Sequence, residues 1–290
     1  MREPGPPGVQ NYYPPYELGQ PITGIGVGVI IRSESPKYRT GDHVYGNLAY
    51  QAYSIHKGVP SLRVLPNVET LPWSVYTGMA GMAGQTAYIG WKLYSKAEKV
   101  VGDTVFVSTA AGPVGSAVVQ LAKSQGLKVV ASTGSDEKVE FVKSIGADIA
   151  FNYKTQSTAA ILEGLGTGID IYWDNVGGET LEIAINLLNA HGRIISCGSI
   201  SQYNAGDTEK YGVKNLIYVM TKRLSMTGFL VFEHPDLIDE FYKEFPQKVA
   251  SGEIKYTEQR YEGLELAGQA ILDVQRGHNK AKAVIVVSNE

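Results

Sequence analysis

Between residues 85 and 230, short runs of apolar and β-branched residues alternate with stretches of helical periodicity, and that alternation confines the chain to few folds. Residues 104–108 form one such run. Residues 114–125 then repeat apolar side chains at helical spacing through Val118, Val119, Leu121 and Ala122. The alternation continues over 128–132, 137–144, 149–151, 169–173, 179–188, 193–197 and 224–230. Strands that return in parallel after a helix need right-handed crossovers, so this region reads as α/β with a parallel sheet. The flanks differ. Residues 1–83 are rich in Gly, Pro and Tyr, with Gly24, Gly26 and Gly28 on one face of an alternating strand over 22–31, and read as all-β. Beyond 235 come helices over 236–250 and 264–274 and a last strand over 283–287. A lone strand needs a sheet to join, and the amino-terminal β section is expected to supply it.

The turn between the first strand and helix of the alternating region carries the most chemistry. Residues 105–115 read VFVSTAAGPVG. A dinucleotide pyrophosphate needs close backbone approach and free N–H groups at a helix N-terminus. Small residues before Gly112, Pro113, Val114 and Gly115 permit both, and the strand-before, helix-after context is the one the chemistry requires. The second strand ends in Ser132-Thr133-Gly134-Ser135, with no acid at its tip. An NAD site usually has an acid there for the ribose 2′-hydroxyl, whereas an NADP site leaves room and supplies a cation. Gly134 leaves the room. Lys138 follows one helical turn later, as a phosphate ligand or as an ordinary solvated lysine. Asp136 and Glu137 speak against a phosphate, or else provide favourable charge in a helix's first turn. Asn175-Val176-Gly177-Gly178 and residues 197–204 follow later strands, at the carboxyl ends where open α/β sheets bind ligands. Tyr203 in the second loop is a candidate functional residue or a plain loop tyrosine.

Composition narrows the classes. The chain has 290 residues, 43% apolar and 19% charged, enough for two domains around sizeable cores. A net charge of −3 lacks the basic footprint of nucleic-acid or anionic-membrane binding. No apolar run nears the roughly 18 residues of a membrane span, and Pro and Tyr stand where a signal peptide would be apolar. A cytoplasmic location is expected. Cys197 is the single cysteine, so neither an intramolecular disulfide nor a cysteine zinc site can form. His43, His56, His191, His234 and His278 lack metal-ligand spacing, leaving only a site of distant ligands; no metal is expected.

Several segments together resemble one family. They are YTGMAGMAGQTAY (76–88), TAAGPVG (109–115), STGSDEKVEFVKSIGADIAFNYK (132–154), DIYWDNVGGETL (170–181), HGRIISCGSISQYN (191–204) and HNKAKAVIVV (278–287). With them the whole chain resembles the zinc-independent medium-chain dehydrogenase/reductases, in the branch of NADPH-dependent alkenal and enone double-bond reductases. The resemblance implies a Rossmann cofactor domain over 85–232. It also implies a GroES-like, mostly β catalytic domain made of 1–84 and the returning segment 233–290. It implies that Gly112 to Gly115 hold the pyrophosphate and that Lys138 and Tyr153 contact the 2′-phosphate end of NADPH. Asn175, Cys197, Gly198, Ser199, Ile200, Ser201, Gln202, Tyr203, Phe229, Leu230, Val231 and Asn279 would line the rest of the cofactor site. Tyr203 would stand beside the nicotinamide and the enone oxygen as donor or proton relay. The implied reaction is hydride transfer from NADPH to the β-carbon of an α,β-unsaturated aldehyde or ketone, with a quinone oxidoreductase of the same superfamily as the alternative. Relatives are often dimers, so a homodimer is also implied. Two departures stand out. Thr109 occupies a position where the family generally has alanine. Met1-Arg2 matches a point inside the family's catalytic domain, so its opening strands and a pocket tyrosine are expected to be missing. That raises a third alternative, a cofactor-binding protein with impaired catalysis.

Overall fold

An antiparallel sheet forms first, from β1 (Thr23–Val29), β2 (His43–Ala49) and the two-residue β3 (Arg63–Val64), in that order. The computed structural model describes residues 16–57, 61–97, 102–206 and 208–288. β1 and β2 pair from Thr23↔Ala49 to Val29↔His43. The glycine face of β1 is where larger neighbours close in: a Cβ at Gly24 would meet the Tyr50 ring at 2.9 Å, and one at Gly26 the Leu48 side chain at 3.4 Å. Tyr38, Val44 and Leu62 form a small core, and the Tyr38 hydroxyl donates to Leu62 O at 3.1 Å. His43 lies flat on Trp73, with ring centroids 3.8 Å apart.

The alternation then unfolds as expected. α1 (Met82–Tyr94) leads into β4 (Thr104–Val107), α2 (Pro113–Ser124), β5 (Lys128–Thr133), α3 (Asp136–Ser144), β6 (Ile149–Asn152) and α4 (Thr158–Glu163). β7 (Ile169–Asp174), α5 (Gly178–Leu187), β8 (Leu188–Ser196), α6 (Ile217–Thr221), β9 (Ser225–Gly228) and α7 (Pro235–Ala250) follow. The six strands are all parallel, in the order β6-β5-β4-β7-β8-β9. Helices cover both faces, which is why the central strands are largely apolar on both sides; all four residues of β4 are buried. Phe106, Val130, Tyr172 and Ile194 pack with Leu162, Leu181 and Ile185 of α4 and α5. Alternate residues face the other way, and there Trp173 meets Trp91 of α1 at 6.5 Å.

Two expectations need correction. β8 starts at Leu188, five residues ahead of the apolar run that announced it, and α5 passes into it without a loop. Asn189-Ala190-His191-Gly192 has no strand alternation; Ile169 pairs with Leu188 before a register shift brings Ile171 opposite Arg193. The final strand also finds a different partner. β10 (Glu258–Glu262) and β11 (Lys282–Val286) make their own two-stranded sheet, apart from the amino-terminal one. β10 reads Glu-Gln-Arg-Tyr-Glu, with only Tyr261 buried, so no apolar alternation marked it. Between them α8 (Ala267–Arg276) stops at Gly277, whose φ of +70° is the left-handed cap that glycine tolerates.

Contacts divide the chain into two units: Gly78–Glu258 with Lys280–Lys282, and Met1–Thr77 with Gln259–Asn279 and Ala283–Glu290. Among the described residues no helix is long and apolar enough to cross a membrane.

Candidate functional site

From β4 the chain moves outward through β5 and β6, then returns to β7 on the other side and continues to β8 and β9. The loops after β4 and β7 therefore diverge, and a crevice opens at the carboxyl ends of these neighbouring strands. The turn 108–112 fills one wall. Thr109 takes φ +52°, a left-handed setting that is unusual for a β-branched residue. Gly112 N donates back to Thr109 O at 3.0 Å, closing the turn. A Cβ at Gly115 would lie 2.5 Å from Thr109 O and 2.8 Å from Ala110 Cα, so α2 starts as close to the turn as backbones allow. Pro113 opens α2, and no side chain caps it. The helix thus offers first-turn N–H groups and the positive end of its dipole toward the crevice. A side chain at 115 would push α2 off the turn, so glycine there keeps turn and free N–H groups together in an arrangement that fits a dinucleotide pyrophosphate.

The β7–β8 corner is built around two buried polar residues. Ser108, fully buried, donates its N–H to Trp173 O (3.2 Å) and accepts the Asn175 N–H at Oγ (3.0 Å). Its carbonyl accepts Asn175 Nδ2 (2.7 Å), while Trp173 Nε1 donates to Asn175 Oδ1 (3.2 Å). The Asn175 amide is therefore clamped at both ends, and one N–H of Nδ2 is left for a ligand. Asp174 is 2% exposed. Its Oδ1 accepts from Tyr172 Oη (2.7 Å), Val176 N (2.9 Å) and Gly177 N (2.8 Å). Burial pushes the Asp174 carboxyl above its ordinary pKa, and those three donors pull against that rise. The held turn runs through Gly177 (φ +69°) and Gly178 (φ +56°), two left-handed residues in succession.

The segment after β8 is laid onto that turn. Cys197 N and Gly198 N donate to Asp174 O at 2.9 and 3.0 Å, Ile200 N to Asn175 O at 3.1 Å, and Ser201 Oγ to Val176 O at 2.7 Å. Gln202 reaches the following loop, accepting Tyr211 N at 2.9 Å. Burial, reinforced by the Asp174 charge, pushes the Cys197 thiol up to about 12, so it stays protonated and inert. The Tyr203 hydroxyl accepts the Ser199 N–H at 3.1 Å, over Gly198, where a Cβ would sit 3.2 Å away. With that lone pair engaged, the phenolic proton is available for an oxygen outside the protein.

The β5–β6 corner has a different texture. A Cβ at Gly134 would sit 3.2 Å from the Tyr153 hydroxyl, so the absent side chain is what lets Tyr153 close over the strand end. Lys138 lies on the first turn of α3, whose cap is Ser135. Burial lowers the Lys138 pKa, the Lys154 charge lowers it further, and Glu137 opposes both. The two acids that argued against a phosphate are occupied: Asp136 Oδ1 accepts from Asn152 Nδ2 (2.8 Å), and Glu137 pairs with Lys280 (3.1 Å).

The remaining sequence candidates divide. Phe229, Leu230 and Val231 follow β9 at the same sheet end, but the Phe229 ring turns into the core, edge-on to Trp173 at 6.1 Å and near Gly90 of α1. Asn279 belongs to the other unit, in the turn between α8 and β11. Sequence reasoning passed over Ser108, Asp174, Asn152 and Lys154. Only Asp174 carried a signal: an acid closing a buried strand ahead of Asn-Val-Gly-Gly is a turn-capping arrangement. Among the described residues no cluster of three or more His, Cys, Asp or Glu could hold a metal ion.

Comparison with known proteins gives three kinds of match. Residues 113–248 match the family described as zinc-binding dehydrogenase, and residues 7–64 the one described as N-terminal domain of oxidoreductase. A tobacco (Nicotiana tabacum) 2-alkenal reductase (NADP(+)-dependent) is 41% identical over 97% of this chain and 81% of its own length. The (+)-pulegone reductase of Mentha piperita is 40% identical over 94% of this chain and 79% of its own. The crystal structure of CurA from Vibrio vulnificus in complex with NADPH superposes with a TM-score of 0.88 at 31% identity, covering 97% of this chain and 84% of that one.

Proposed function

Because this chain belongs to the zinc-independent medium-chain dehydrogenase/reductases, in their alkenal and enone reductase branch, we propose that it reduces the carbon–carbon double bond of α,β-unsaturated aldehydes or ketones with NADPH. One observation carries the proposal. The uncapped glycine turn before α2 and the available proton of Tyr203 stand on loops of the same parallel sheet's carboxyl edge.

Gly112, Pro113, Val114 and Gly115 would hold the pyrophosphate, Gly134, Lys138 and Tyr153 the 2′-phosphate, and Asn175 with residues 197–203 and 229–231 the nicotinamide half. When bound, the reduced nicotinamide supplies the hydride that goes to the substrate's β-carbon. The residues of this chain do the rest. Tyr203, fixed by the Ser199 N–H, donates its proton's hydrogen bond to the carbonyl oxygen, where negative charge develops. The buried Ser108 and Asp174 hold the loops still, so that this donor is aimed before substrate arrives. A solvent proton at the α-carbon completes the balance.

The finer reading of its assembly is a homodimer through β9. That strand ends the sheet, and Leu216, Ile217, Met220 and Met226 beside it are exposed.

The test is an NADPH-oxidation screen over alkenals, enones and quinones, with sedimentation of the same protein. Turnover of alkenals or enones with the saturated carbonyl as product is expected, at dimer mass. Turnover confined to quinones, or tight NADPH binding without any turnover, overturns the activity; a monomer at assay concentration overturns the assembly.

A further inference from the structure

The corner between β5 and β6 contains a carboxylate that would oppose a phosphate, and one side chain holds it. Asp136 begins α3 two positions beyond Gly134, and its Oδ1 accepts from Asn152 Nδ2 at 2.8 Å. Asn152 ends β6, opposite Thr133 in the ladder, and is only 7% exposed. Its Oδ1 accepts the Lys154 N–H at 3.1 Å. These two partners allow the amide one orientation, nitrogen to the carboxylate and oxygen to the backbone donor. Lys154 follows Tyr153, whose hydroxyl lies over Gly134, and its charge is close enough to depress the Lys138 ammonium. Two cations are thus collected where one acid is tied down.

We propose that Asn152 is a positioning residue for cofactor choice: by holding the Asp136 carboxylate and the Lys154 backbone, it keeps negative charge off the Gly134 corner and sets Lys154 beside Lys138 to meet a 2′-phosphate. The inference rests on the NADPH reading above and deepens it. Asp136 released would be an acid near the end of β5, the kind of group that favours a free ribose 2′-hydroxyl and repels its phosphate. Asn152 therefore acts through its neighbours and need not touch the cofactor.

The experiment is calorimetry with two probes, adenosine 2′,5′-bisphosphate and 5′-AMP, which differ only in the 2′-phosphate. The unmutated chain should prefer the bisphosphate. Asn152→Ala should weaken the bisphosphate by about tenfold, the effect of one carboxylate freed to approach a half-exposed site, and leave 5′-AMP unchanged. Adding Asp136→Ala should restore most of that loss, a rescue that a purely structural role would not produce. Lys154→Ala should weaken the bisphosphate alone. If Asn152→Ala does not fold, Asn152→Ser carries the same arms. A bisphosphate preference that survives the Asn152 variants, or a loss that Asp136→Ala does not rescue, overturns this proposal alone. Equal binding of both probes by the unmutated chain overturns the NADPH reading and this proposal with it.

Discussion

The two corners of the sheet's carboxyl edge are built on different physics. At the ends of β7 and β8 the contacts are buried: Asp174 gathers three donors, Ser108 clamps Asn175, and two left-handed glycines shape the turn. At the ends of β5 and β6 the working groups are long and wet: Tyr153 is 52% exposed, Lys154 is exposed, and Glu137 and Lys280 form an exposed ion pair. The first corner is preorganised, its geometry set at folding, which suits a site that must aim one proton. The second needs only charge in the right region, and exposed, screened side chains supply that well enough. Disturbing the first should cost stability and rate; disturbing the second should cost affinity, and less of it in salt.

The largest effect is expected at Asp174. Asp174→Ala strands the Tyr172 hydroxyl and the Val176 and Gly177 N–H groups, and should cost about 3–5 kcal/mol in denaturant unfolding. Asp174→Asn keeps an acceptor and loses the buried charge. The Asp174 carboxyl has a raised pKa in the folded chain, so the fold binds its proton more tightly than the unfolded chain does. The wild type should therefore lose stability as pH rises above the ordinary value of 3.8, and Asp174→Asn should not. Near neutral pH the Asn variant should match or exceed the wild type. Equal stability of the Ala and Asn variants would erase the contrast between the corners.

Next comes Tyr203→Phe, which keeps the ring and deletes the donor. kcat on an enone should fall about 10²-fold, roughly 2.7 kcal/mol, with NADPH affinity nearly unchanged. Near-full kcat would remove Tyr203 from the mechanism and leave the preorganised corner as a cofactor shelf only.

Lys138→Ala sharpens the comparison from the other side. It should weaken NADPH by roughly 10- to 100-fold, spare NADH, and lose part of that effect as salt rises. A loss shared equally by both cofactors, measured by fluorescence titration, would show that Lys138 does not read the phosphate.

How far the sequence reached differs between those corners for a physical reason. The turn at Gly112 to Gly115 could be read because a strand, a small-residue turn and a helix are neighbours along the chain, and periodicity records all three. Lys138 was visible for the same reason, one turn into α3. Whether Asp136 opposed a phosphate there was not, because its partner Asn152 stands at the end of β6, sixteen residues on. β10 was invisible because an exposed two-stranded edge needs no apolar alternation. β8 began early because a register shift let Leu188 pair ahead of the regular ladder.

The sequence by itself determined the class of the molecule. Apolar runs at periods of two and 3.6 residues, punctuated by glycine, admit a parallel sheet with helices on both faces, and its ligand loops must then fall at the carboxyl ends. Family motifs carried that as far as a cofactor and a reaction type. Tertiary structure alone decided which polar groups are spent on the protein and which are left for a ligand. Asn175 is largely spent, Phe229 faces the core, Cys197 is half-buried and protonated, Asp136 is tied down, and Tyr203 keeps its proton. Donors and acceptors are satisfied across strands that lie far apart in the chain, so no local pattern of residues can state which of them remain.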